Sequence, residues 1–95
     1  MSDYTINAAI QLLPIDTEQK RWDVVDKAIL LIQKSGLKYK VCPFETVVEG
    51  KSSDVFALID GIKTIALQNS NEILINIKIH AANRDVFFEE KLEKY

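Results

Sequence analysis

Few side chains in this sequence can do chemistry, and their types narrow what that chemistry could be. There is one His, at position 80, and one Cys, at position 42. Zinc-type sites take three or four such ligands, so a metal centre fails on counting. A Cys42–His80 nucleophilic pair has no support in the local sequence, and both read as strand-end residues. Gly36, Gly50 and Gly61 stand apart, so no glycine-rich loop is available to cradle a phosphate. What remains is a set of amides, a hydroxyl and charges: Asn7, Gln11, Thr46, Glu49, Asn76 and Lys78. Asn and Gln offer donors and acceptors together, which suits a neutral heterocycle with mixed edges such as a pyrimidine. Glu49 could balance a cationic ligand or form an ion pair with Lys78. The plainer reading of all six is a solvated strand or a subunit interface.

These residues can meet only if the intervening elements bring them together. Ile6, Ala8, Ile10 and Leu12 alternate with Asn7, Ala9, Gln11 and Leu13, the period of a half-buried strand, ended by Pro14. Asp16 or Thr17 can cap the helix that follows. Trp22, Val25, Ile29 and Ile32, flanked by Val24, Ala28 and Leu31, give it a wide apolar face that predicts core packing, Trp22 included. Gly36 supplies the stop. Leu37–Val41 and Thr46–Glu49 predict two strands of a hairpin interrupted by Cys42-Pro43 and ended by Gly50. Ser52 or Ser53 can cap a second helix carrying Val55, Ile59, Ile62 and Ala66, with Gly61 inside it. Ile73, Ile75, Ile77 and Ile79 alternate with Leu74, Asn76, Lys78 and His80 in a fourth strand. Phe88, Leu92 and Tyr95 then recur at helical spacing.

Right-handed crossovers place the first and third strands side by side, with the fourth flanking the first and both helices on one face. The expected fold is α+β, a ferredoxin-like β-α-β-β-α-β sandwich with a short C-terminal helix, one domain over residues 1–95. The all-Ile face of strand four should meet the helices. Leu74, Asn76 and Lys78 then share the uncovered sheet face with Asn7, Ala9 and Gln11. That face carries little charge, so cover by another subunit or a ligand is expected.

Composition agrees with a small globular domain. The 95 residues include 12 Lys and Arg against 14 Asp and Glu, a net charge of −2, and 47% are hydrophobic. That balance argues against an electrostatic nucleic-acid binder. No apolar run approaches the roughly 20 residues of a membrane span, and the first residues lack a basic, then apolar, leader pattern. A single cysteine cannot form an internal disulfide and suits a reducing, cytoplasmic compartment.

The stretch Ser35-Gly36-Leu37-Lys38-Tyr39, then Pro43, then Thr46-Val47-Val48-Glu49-Gly50 resembles the small thiamine-binding proteins of the YkoF-like family. Gln11-Leu12-Leu13-Pro14 is similar to that family's first-strand ending, and Asn76-Ile77-Lys78-Ile79 to its last strand. The resemblance extends to the tail, Glu90-Lys91-Leu92. It implies a ferredoxin-like fold whose open sheet faces pair into dimers or tetramers. It also implies binding of thiamine or its hydroxymethylpyrimidine half, without catalysis or a cofactor, in vitamin transport or salvage. The residues it points to are Gln11, Thr46, Glu49, Asn76 and Lys78, with Tyr39 or Phe44 against the ligand's ring. Two other expectations stay open: an oligomeric structural or regulatory module without a ligand, and an enzyme that uses a carboxylate such as Glu49.

Overall fold

The alternation of Thr5–Leu13 forms a strand in the computed structural model, which describes residues 3–93. The elements are β1 (Thr5–Pro14), α1 (Glu18–Lys34), β2 (Lys38–Val41), β3 (Thr46–Lys51), α2 (Ser52–Asn69), β4 (Ile73–His80) and α3 (Phe88–Leu92). Tyr95 lies outside the described residues. The sheet order is β2-β3-β1-β4 with every neighbouring pair antiparallel, the order that right-handed crossovers require. Both long helices cover one face. Ile6, Ala8 and Ile10 of β1 and Val48 of β3 pack there with Ala28 and Ile32 of α1 and Val55, Leu58 and Ile62 of α2.

Local chemistry sets the joints. Thr17 caps α1, its side chain accepting from the Lys20 N–H at 3.3 Å, while the Asp16 carboxylate accepts from the Thr17 N–H. Gly36, at φ +79°, takes the left-handed turn after α1. Gly36→Ala is therefore expected to cost about 1 kcal/mol in urea unfolding, and an unchanged midpoint would contradict it. Gly50 does not end its strand. It lies inside β3, where a Cβ would come within 2.7 Å of the Leu37 side chain.

Three expectations are corrected. Ser52 and Ser53 do not cap α2, because β3 runs into the helix with Lys51 at the cap position. Asp3 supplies the cap instead, its carboxylate accepting from the Ser53 N–H at 2.9 Å and the Ser53 hydroxyl at 2.5 Å. Those hydrogen bonds hold the Asp3 carboxyl below its ordinary value of 3.8. A depressed carboxyl stabilises the fold above its unfolded value and loses that contribution as pH falls through the folded one. The stability gap between wild type and Asp3→Asn should thus be constant near neutrality and close below about pH 4; a gap that persists in acid would contradict this.

Second, the Ile face of β4 is only partly covered. Ile73 and Ile75 are half-buried but Ile77 and Ile79 are exposed, since β4 is an edge strand and the core lies over β1 and β3. Third, the other sheet face is not wholly open. The segment after β4 folds back across it, with Val86 fully buried and its N–H donating to the Thr5 carbonyl. Asp85 accepts from the Thr5 N–H, and the Asn7 side chain donates to the Val86 carbonyl.

Candidate functional site

The helix-covered side of the sheet contains a cleft of about 410 Å³ between the end of β1, the first half of α1 and the β2–β3 hairpin. Its shape follows from two local features. The Cys42 N–H donates to the Glu45 carbonyl at 2.9 Å, closing the hairpin around Pro43 and Phe44 and leaving Phe44 83% exposed at the cleft edge. On α1 the wide apolar face divides into two stripes. Val24, Ala28 and Ile32 are buried, the last two at the cleft's base, whereas the less buried Trp22, Val25 and Ile29 form its wall. Trp22 is 60% exposed, so its expected place in the core is corrected: it lies about 200° around the helix from Val24.

Thr46 forms part of the floor. It pairs with Ile10 and Val41 in register, which turns its side chain to the helix side, and it is 7% exposed. No sealed side-chain polar atom among the described residues lacks a partner. The Thr46 hydroxyl, which has no hydrogen bond there, must therefore open into the cleft. Glu18, Arg21 and Glu45 border the same space.

The other predicted residues do not gather here. Gln11 borders the cleft, but its side chain accepts from the Asn76 side chain at 3.1 Å on the opposite face. Lys78 lies on that face too, across from Ala9. Tyr39 pairs with Val48 on the edge strand β2 and is not among the cleft's lining residues. Glu49 is buried beneath the C-terminal segment, where it accepts from the Phe88 N–H and the Asn7 side chain. Its ion-pair partner is Lys38, at 3.8 Å, and not Lys78. Lys38 also pairs with Glu89, which raises the Lys38 pKa and lowers that of Glu89, and its ammonium sits 5.6 Å from the Phe88 ring centre. Glu49 and Asn7 thus fasten the tail to the sheet.

Sequence reasoning missed Trp22, Glu18, Arg21 and Glu45 as cleft residues. No local signal in the sequence marks these four, because they come from the start of α1 and the tip of the hairpin, more than 20 residues apart in the chain, whereas Phe44, named from the sequence, does line the cleft. No helix of the described residues is long and apolar enough to cross a membrane.

The sequence pattern of the family described as thiamine-binding protein matches residues 8–95. The chain belongs to the thiamine-binding protein family. Within or beside that family, a UPF0045 protein of Clostridium perfringens is 32% identical over 92 residues, 96% of this chain and 97% of the relative. A Thermotoga maritima protein provisionally assigned to thiamine biosynthesis or salvage superposes with a TM-score of 0.89 at 25% identity, covering 96% of this chain and 98% of that one. A domain of unknown function from Bacillus cereus gives 0.90 at 28% identity, over 97% and 90%. The ferredoxin-like α+β fold of this family member is the one read from its sequence.

Proposed function

We propose that this thiamine-binding family member takes thiamine or its hydroxymethylpyrimidine half into the cleft between α1 and the β2–β3 hairpin, without reacting it. The reading rests on Thr46: a hydroxyl on a residue only 7% exposed, without a partner among the described residues, on the floor of an apolar cleft. Such a group, open to the cleft, is available to a ligand that brings its own donor or acceptor. The volume of about 410 Å³ falls within the range of small-molecule sites, roughly 300–1,000 Å³. The assignment of the Thermotoga relative to thiamine biosynthesis or salvage supports a carrier or salvage role.

Self-association belongs to the same proposal. The half of the open face that the tail leaves free, with Leu13 and Leu74 exposed beside Gln11, Asn76 and Lys78, would pair protomers into dimers or tetramers.

Trp22 is the only tryptophan and lines the cleft, so its fluorescence reports occupancy. Thiamine should change that emission saturably, and Thr46→Val should weaken the affinity about tenfold while the thermal midpoint stays within a few degrees. Calorimetric binding with silent fluorescence and an unchanged Thr46→Val affinity would move the ligand to the opposite face, at Gln11, Asn76 and Lys78.

A further inference from the structure

We infer that the cleft discriminates by charge, holding the intact thiamine cation in preference to both the neutral hydroxymethylpyrimidine and the anionic monophosphate ester. The inference rests on the binding reading above and adds the selectivity of the site. Three charged side chains border the cleft: Glu18, Arg21 and Glu45. None of them is held in an ion pair among the described residues, so their fields act on whatever enters. Two carboxylates against one guanidinium leave the rim with a formal charge of −1. The aromatic rings add to this. Trp22 from α1 and Phe44 from the hairpin are 60% and 83% exposed, and both line the cleft. An aromatic face attracts a cation, Trp most strongly, and the attraction grows as water is excluded.

The cleft therefore has two chemically different ends. Its floor presents the Thr46 hydroxyl, which opens into the cleft and has no hydrogen-bond partner among the described residues, with Ile10, Ala28 and Ile32 lining the same space. Its mouth carries two exposed aromatic side chains and surplus negative charge. Thiamine has the matching polarity: an aminopyrimidine with donors and acceptors, joined to a thiazolium whose positive charge is permanent and spread over a flat ring. Hydroxymethylpyrimidine satisfies only the floor. The monophosphate ester keeps the thiazolium but adds a phosphate of about −1.5 to −2 at neutral pH, so it turns net anionic and brings that charge to a rim already negative.

Calorimetric titration of the purified protein with thiamine, hydroxymethylpyrimidine and thiamine monophosphate tests this. Thiamine should bind roughly tenfold tighter than hydroxymethylpyrimidine, with the monophosphate weaker than thiamine. The double variant Glu18→Gln/Glu45→Gln should lower thiamine affinity several-fold, leave hydroxymethylpyrimidine unchanged and raise the monophosphate. Phe44→Leu, at a position too exposed to unfold the chain, should also reduce thiamine alone. Equal affinities for thiamine and its pyrimidine half would overturn the inference and leave the binding reading standing. A monophosphate that binds tighter than thiamine would overturn it too, and give Arg21 the deciding charge. No heat with any of the three, from folded protein, would overturn the binding reading and this inference with it.

Discussion

Ile62→Ala will remove a large share of the protein's stability. Ile62 is among the largest fully buried side chains and packs into the core that joins both helices to β1 and β3. Truncating a buried Ile to Ala typically costs about 2–5 kcal/mol, from lost burial and from the cavity left behind. Against a usual total of about 5–15 kcal/mol that is from roughly an eighth to nearly all of it. For a chain of this size the thermal midpoint should fall by roughly 10 °C or more. Ile62→Val, which removes one methyl group, should cost only about 0.5–1.5 kcal/mol. Ile62 also lines the cleft, so the truncation deepens its floor. A loss under 1 kcal/mol from the Ala variant would mean that the neighbours collapse into the space, and that this part of the core is not closely packed.

Glu49→Ala should loosen the C-terminal segment. Its carboxylate is the common acceptor for the Phe88 N–H and the Asn7 side chain, with Lys38 beside it. Its removal leaves the Phe88 N–H without its partner, and a buried donor in that state costs about 1–3 kcal/mol. Asn7 keeps the Val86 carbonyl and Lys91, so the sheet itself should survive. Hydrogen exchange locates the effect: the Val86 and Phe88 amides should lose protection while those of β1 keep theirs. Unaltered protection at Val86 would show that the tail is held by its apolar contact alone. Thiamine affinity should not change, because the cleft lies on the other side of the sheet. A sequence reading that puts Glu49 in the ligand site expects the opposite, so one titration separates the two.

Much of the architecture was legible because it rests on short-range periodicity. The two-residue alternation of Ile6–Leu13 and Ile73–His80 and the three-and-four spacing on α1 need no knowledge of partners. Handedness then settles the strand order. What the sequence could not show depends on contacts between distant segments. Val47 and Val48 make β3 apolar on both parities, so only the pairing of Thr46 with Ile10 reveals that its hydroxyl faces the helices. Asn7 and Glu49 read as ligand groups because nothing nearby satisfies them, while their actual partners, Val86, Phe88 and Lys91, come some 40 to 80 residues later. Asp3 caps α2 from 50 residues away. On α1, apolar residues outnumber the core positions available, and tertiary packing decides that Val24 enters while Trp22 stays at the cleft.

The place of β1 in the middle of the sheet bears on how the protein is made. β1 leaves the ribosome before the strands it joins, since Ile10 pairs with Thr46 and Ile77, and Thr5 waits for Asp85. At about 5–20 residues per second, its row of Ile6, Ala8, Ile10 and Leu12 spends several seconds without a neighbouring strand. α1 can form behind it within microseconds and shade that row, but it cannot satisfy the strand's hydrogen-bonding edges. The nascent chain is thus most vulnerable to mispairing and chaperone capture before β4 emerges, and the native sheet closes only once that strand is available.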